Sequence, residues 1–250
     1  MKKKQMVLLP GWGMERSIWT PVTEPLRTSY DCYMVDWRGI SSTQELQERI
    51  KQTIESNQLD TFIFYGWSLG SMLALEATKN KYQERVEALI LVGGTSCFVA
   101  DEQGEYLWGW RKRVVDRMKR SLDRNQEETL HNFYQAMFSS AERNEGHLDA
   151  FRTMVHESFQ GDQPASLQYG LDYLSTVDLR NDLQYIKTPT LLIHGAEDTI
   201  CPLGAAEYMK QSLAGVCDLH VYPQTGHVPF LTHTPDFIAK VKKFVEVYGD

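Results

Sequence analysis

The segment Gly66-Trp67-Ser68-Leu69-Gly70 is the first place in this sequence where a side chain stands in a setting suited to covalent chemistry. A serine hydroxyl at neutral pH is a poor nucleophile. It needs an imidazole to take its proton, and the imidazole needs a buried acceptor to hold one tautomer. Asp198 and His227 follow in that order, each just past an apolar run. Serine, acid, histidine is the chain order that accompanies a G-x-S-x-G nucleophile on a strand-to-helix turn, and the chemistry it implies is acyl transfer through an acyl-enzyme. Taken alone, the motif reads equally as a glycine-containing turn, so the downstream acid and base decide.

The rival candidates are weaker. His194 and His220 lie within strands, His131, His147 and His156 lie in a helical stretch, and His233 sits at the edge of the closing helix. For the acid, the loop after the apolar run Ala88 to Val92 offers only Gly93, Gly94 and Thr95, and the Glu197 side chain should point away from that of Asp198.

The elements that must position these groups follow from apolar patterning. Thr61 to Tyr65 is a β-branched and aromatic run suited to a buried strand, and the residues from Ser68 onward have the apolar density of a buried helix. Met6 to Leu9 is a strand closing on Pro10-Gly11-Trp12-Gly13. A backbone N–H at Trp12 is placed to donate to an oxyanion, with a second from Leu69; the alternative is an ordinary turn. Further strands are expected at Cys32 to Val35, Ala88 to Val92, Pro189 to His194 and Leu219 to Tyr222. Helices are expected at Ser17 to Leu26, at Thr43 to Ser56, and from Thr234, whose hydroxyl would cap a helix with Pro235 at its first position.

This alternation implies an α/β fold with a mainly parallel sheet flanked by helices, its site beyond the C-terminal strand ends. Residues 1–100 and 176–250 form the expected core. Residues 101–175 show no strand pattern but helical segments at Tyr106 to Leu122, Gln126 to Ser139 and His147 to Phe159, read as a helical lid over the site or as a packing subdomain within one folded unit.

Composition narrows the function classes. The 250 residues are 42% hydrophobic and 24% charged with a net charge of -7, a soluble globular balance that argues against general nucleic-acid binding. The apolar run after the basic start is too short for a signal core or a membrane span. Cys32, Cys97, Cys201 and Cys217 are dispersed and read as reduced thiols, which places the chain in the cytoplasm. No metal or organic cofactor is implied, and a monomer is the default expectation.

The elbow, the loop Gly11-Trp12-Gly13, the segment Thr176-Val177-Asp178-Leu179-Arg180 and the Gly226-His227 end resemble the α/β-hydrolase superfamily, and within it the pimeloyl-[acyl-carrier protein] methyl ester esterases of biotin synthesis. The resemblance implies Ser68, Asp198 and His227 as the triad and the Trp12 and Leu69 amides as the oxyanion hole. It also implies that Phe133, Tyr134, Gln135, Ala136 and Met137 line the acyl pocket, though packing within the lid is an equal reading for Phe133 and Met137. Four departures stand out. Pro10 replaces a histidine, and Ser41 replaces a second glycine after Gly39. One or both leading antiparallel strands are expected to be missing or shortened. Glu128, Asn132, Glu145 and Asp149 stand where the family carries arginines for docking an acidic carrier protein. Arg111, Lys112, Arg113, Arg117, Lys119, Arg120 and Arg124 form a separate basic stretch, either a relocated docking face or a solvated helix surface.

The expected function is therefore a serine carboxylesterase acting on a carrier-bound acyl methyl ester. The alternatives are a general short-chain carboxylesterase, a pyruvate-eliminating synthase of the menaquinone pathway, and a non-catalytic small-molecule-binding protein of the same fold.

Overall fold

Strands covered by helices on both faces must be apolar on both faces, and the central strands here are. The structure, a computed structural model, describes residues 3–101 and 106–249. β3 (Phe62–Trp67) and β5 (Thr190–Gly195) are buried at every residue, and β4 (Val86–Val92) at all but one. β1 (Lys4–Leu9) is buried from Met6 onward, whereas the edge strands β2 (Tyr30–Met34) and β6 (Cys217–Tyr222) each bury one residue and leave the others partly or fully exposed. The sheet runs β2-β1-β3-β4-β5-β6, and every pairing among the described residues is parallel. The order reverses direction at β1, so a crevice opens beyond the ends of β1 and β3, the position open parallel sheets use for ligands.

α1 (Thr20–Leu26), α2 (Gln44–Ser56), α3 (Leu69–Ala77), α9 (Leu203–Ser212) and α11 (Thr234–Tyr248) accompany the sheet. α2 buries Leu46, Ile50 and Ile54, four residues apart, as an amphipathic helix should. α3 has no polar face because it fills the centre of the molecule: of its nine residues only Glu76 escapes full burial. Between β4 and β5 the chain adds α4 (Lys112–Arg124), α5 (Gln126–Ala136), α6 (Ser140–Asn144), α7 (His147–Ser158) and α8 (Pro164–Thr176). α10 (Pro229–Thr232) precedes α11. No helix among the described residues is long and apolar enough to cross a membrane. Of the segment expected to form the lid, residues 102–105 lie outside the described residues.

Three boundary expectations are corrected. The helix expected from Tyr106 begins only at Lys112, because Trp110 pairs with the chain before the lid: its N–H donates to Phe98 O (2.8 Å) and its carbonyl accepts from Ala100 N (2.9 Å). Backbone groups engaged in such a bridge are not free for a helical ladder. The helix expected to run to Ser139 stops at Ala136, since Ser139 caps α6 in a capping box with Glu142. Thr234 does not cap α11; its hydroxyl donates to Phe230 O (2.8 Å) in the preceding turn, and the cap position falls on His233. α6 and α8 were not anticipated, although the Ser139/Glu142 spacing and Pro164 at a first helical turn are sequence marks of their starts.

Candidate active site

At the end of β3 the backbone turns through Ser68 with φ 55° and ψ -118°, a conformation L-residues avoid at a cost of roughly 1–3 kcal/mol. The flanking glycines make this turn possible. A Cβ at Gly66 would stand 2.5 Å from Gly70 O, and one at Gly70 only 2.0 Å from Leu9 O, so strand and helix approach more closely than any side chain permits. Ser71 donates to Gly66 O (2.8 Å), and Ser68 N–H donates to Val92 O (2.9 Å), fastening the elbow to β4. Leu69 opens α3, and as a first-turn donor its N–H has no intrahelical acceptor.

The loop after β1 comes alongside. A Cβ on Gly11 would lie 3.3 Å from Ser68 Cβ, which brings the Trp12 backbone next to the serine. The Trp12 indole is fixed from the lid side by its bond to Leu167 O (2.8 Å) and by the edge of Phe133 at 5.0 Å. At Pro10, where the resemblance led to an expected histidine, the carbonyl is held by Trp37 Nε1 (2.9 Å), so an indole rather than an imidazole supports the loop.

Asp198 and His227 meet although 29 residues apart: Asp198 Oδ2 lies 2.7 Å from His227 Nδ1, and both side chains are fully buried. Asp198 Oδ1 accepts from the backbone N–H of Ile200 (2.8 Å) and of Cys201 (2.9 Å). With the carboxylate as acceptor, His227 donates from Nδ1, and its Nε2 is buried with no hydrogen-bond partner among the described residues. His227 O accepts from Trp67 Nε1 (2.9 Å), which ties the histidine to the residue before Ser68. Gly93, in the acid position rejected above, has φ +50°, and a Cβ there would press to 2.9 Å from His227 Nδ1. The imidazole occupies the space an acidic side chain at that position would need.

The other histidines are placed elsewhere. His194 Nε2 donates to Cys201 O (2.6 Å) and lies 3.4 Å from Asp198 Oδ2; burial lowers its pKa although Asp198 acts in the opposite direction. It is a buried brace beside Asp198. His233 stacks on Tyr222 (centroids 4.6 Å apart) and bonds Thr225 Oγ1 (2.8 Å), and His131 bonds Arg152 (2.9 Å). Glu197 is exposed, its side chain turned away from the buried Asp198 carboxylate. Among the described residues, no cluster of three histidine, cysteine or carboxylate side chains is disposed to hold a metal ion.

A cavity of about 600 Å³ opens beside Trp12, Leu69 and Gly170, with Leu130, Tyr134, Val155 and Phe159 on its apolar wall and Glu15, Arg38, His131 and Arg152 among its polar groups. Of the five residues Phe133 to Met137 expected to line the acyl pocket, Tyr134 alone faces this cavity. At 3.6 residues per turn, Glu127, Leu130, His131 and Tyr134 share one side of α5, and Thr129, Asn132, Phe133 and Ala136 the other. Phe133 and Ala136 instead line a second cavity of about 240 Å³ with Trp110, Arg117 and Met118. Gln135 is exposed, and Met137 is buried with its carbonyl accepting from His227 N (2.7 Å).

One polar element of the cavity went unread in the sequence. Glu15, 6% exposed, accepts from Gln160 N (2.8 Å) and Gly161 N (2.7 Å) and pairs with Arg38 (3.2 Å), latching the turn between α7 and α8 to the core. Arg38 also grips Asp36; burial acts to raise that carboxyl, but the Arg38 bonds hold it below its usual range.

Residues 4–234 match the family described as alpha/beta hydrolase fold. The chain is 32% identical over 238 residues to a pimeloyl-[acyl-carrier protein] methyl ester esterase of Nitrosomonas europaea, covering 94% of this chain and 92% of the relative. It is 30% identical over 251 residues to an esterase of the same name from Nitrosospira multiformis, with 96% and 93% covered. An esterase from Exiguobacterium antarcticum superposes with a TM-score of 0.86 at 25% identity, over 98% of this chain and 92% of that one. A bromoperoxidase from Bacillus anthracis also reaches 0.86, at 18% identity over 98% and 92%, a likeness of fold alone.

Proposed function

The chain belongs to the alpha/beta hydrolase fold family, and from that premise we propose that it is a serine esterase cleaving the methyl ester of a pimeloyl chain presented by an acyl-carrier protein. The observation that carries the reading is the Asp198–His227 pair at 2.7 Å, with an Nε2 that is buried and unpartnered among the described residues on the same strand-end face as the strained Ser68 turn.

His227 Nε2 takes the Ser68 proton as Oγ attacks the ester carbonyl, and Asp198 stabilises the resulting imidazolium. The Trp12 and Leu69 amides receive the developing oxyanion. Collapse of the tetrahedral intermediate expels methoxide, which leaves as methanol with the proton from His227. Water, deprotonated by the same nitrogen, then attacks the acyl-enzyme and releases the acid. The cavity of about 600 Å³ matches in scale an aliphatic chain with a polar far end.

Presentation by an acidic carrier is supported by α4. Arg113, Arg117, Arg120 and Arg124, spaced four, three and four residues apart, form one exposed stripe and make no ion pair among the described residues. Lys112 and Lys119 are instead paired with Asp116 and Asp172. A positive stripe on a chain of net charge -7 favours an acidic partner chiefly through its rate of association.

The test compares wild type, Ser68→Ala and a double Arg117→Glu/Arg120→Glu variant on the carrier-bound methyl ester and on a short p-nitrophenyl ester. Ser68→Ala should lose on the order of 10⁶ in turnover on both. The charge-reversal variant should lose kcat/KM on the carrier-bound ester only, and that loss should shrink as salt screens the stripe. Hydrolysis of the short ester alone by wild type overturns the carrier-bound substrate and leaves a general carboxylesterase.

A further inference from the structure

We infer that Glu142 is a positioning residue for the base: by gripping the loop that carries His227, it makes the seating of α6 a condition for a working triad. The inference rests on the esterase reading above for its catalytic consequence, and on geometry alone for its structural one.

Glu142 is 3% exposed, and no cation pairs with it among the described residues. A buried carboxylate in that state must be satisfied by hydrogen bonds, and the partners it takes are informative. Oε2 accepts from Ser139 N (2.8 Å), the contact a capping box requires. The remaining bonds are not local. Oε2 also accepts from Gly226 N (2.8 Å), 84 residues away, and Oε1 accepts from the Thr232 hydroxyl (2.8 Å), 90 residues away. Gly226 and Thr232 bracket His227.

The neighbouring residues act in the same direction. Met137 O accepts from His227 N (2.7 Å), Ser139 Oγ donates to Gln224 O (2.6 Å), and Ala136 O accepts from Thr199 Oγ1 (3.0 Å), next to the acid Asp198. The backbone of His227 therefore has two anchors of different origin. Its carbonyl is held by Trp67 of the elbow, and its own N–H and that of Gly226 are held by residues 137–142 of the insertion. A capping role for α6 explains one of the three bonds to Glu142; a role in holding the base explains the other two.

Glu142→Ala removes the acceptor of two buried backbone N–H groups and frees the His227 loop on its insertion side. An error of about 1 Å in a reacting group costs on the order of 10²-fold, so kcat on p-nitrophenyl butyrate should fall by about that factor with KM nearly unchanged. Glu142→Gln keeps an oxygen for both N–H groups and offers its amide N–H to the Thr232 hydroxyl, and should restore most of the rate. The second readout needs no turnover. The downfield ¹H NMR resonance of the His227 Nδ1 proton, which reports the bond to Asp198, should coincide in wild type and Glu142→Gln and should shift or exchange away in Glu142→Ala. A folded Glu142→Ala with wild-type kcat, or with an unmoved Nδ1 resonance, overturns the inference, as does a glutamine variant as impaired as the alanine one. If Glu142→Ala does not fold, Glu142→Asp takes its place: one methylene short, it cannot reach Ser139 and Gly226 together, and an unchanged kcat there is equally fatal. A wild-type protein that neither turns over ester nor labels at Ser68 with a fluorophosphonate removes the esterase reading instead, while the NMR comparison still decides the positioning role.

Discussion

Replacing Asp198 by asparagine should separate catalysis from stability, because the two carboxylate oxygens have different jobs. Oδ1 accepts from two backbone N–H groups, Ile200 at 2.8 Å and Cys201 at 2.9 Å, and Oδ2 alone faces His227 Nδ1 at 2.7 Å. In Asp198→Asn the amide must turn its oxygen toward the two N–H donors, since its NH₂ there would leave both unpaired at roughly 1–3 kcal/mol each. The NH₂ then points at His227 Nδ1, which can pair with it only as an acceptor. The imidazole proton moves to Nε2, the atom that takes the Ser68 proton in the proposed mechanism, so the proposed base is lost while the packing is kept. A wrong tautomer of this kind costs about 10⁴ in kcat, or about 5.4 kcal/mol in the barrier. The assay is kcat on a p-nitrophenyl ester with a thermal melt on the same samples, and Tm should stay within a few degrees of wild type. Asp198→Ala, which orphans both loop N–H groups, should lose activity and also melt earlier. An asparagine variant within tenfold of wild type would refute the reasoning.

Three further outcomes are expected. Ser68→Gly removes the strain at φ 55° and should raise stability by about 1 kcal/mol while abolishing turnover; a lower Tm would show that the elbow is not strained. Phe133→Ala should enlarge the cavity of about 240 Å³ and remove the edge contact that holds the Trp12 indole at the border of the cavity of about 600 Å³, shifting the kcat/KM profile of p-nitrophenyl esters toward longer acyl chains at a cost of roughly 3–5 kcal/mol in stability. An unchanged profile in the folded variant would place the acyl limit elsewhere. His194 adds a pH dependence: burial lowers its pKa in the fold, so below the unfolded value near 6.5 only the unfolded chain takes up the proton. Its contribution to stability is therefore complete above that pH and falls by up to about 1.4 kcal/mol per unit as the pH drops toward the folded pKa. Melting curves from pH 7.5 to 5 should show this slope, and His194→Gln should flatten it.

Local pattern carried much of the architecture. The runs at Met6, Thr61, Ala88 and Pro189 are apolar on both faces because their strands are covered on both, so each strand was legible within two residues of its observed start. The turn at Gly66 to Gly70 was legible because a glycine pair around a serine is a local requirement: no side chain fits 2.0 Å from Leu9 O. Ser68, Asp198 and His227 each follow an apolar run, and in a parallel sheet the ends of successive strands lie on one side, so their order already placed them on one face of the sheet.

What the tertiary structure decided is which side chains from distant elements share a space. Periodicity put Phe133 and Tyr134 on one helix, but the packing of α5 against Trp12 decided that Tyr134 faces the large cavity and Phe133 the small one. The pairing of Trp110 with Phe98 and Ala100 shortened α4 through backbone bonds that no local spacing encodes. Glu142 has only its spacing from Ser139 as a local mark, and its bonds reach 84 and 90 residues along the chain. Strand and helix starts depend on a few neighbouring residues and can be read from them. The partners of a buried polar group depend on how whole elements are docked, and that is settled only when the chain has folded.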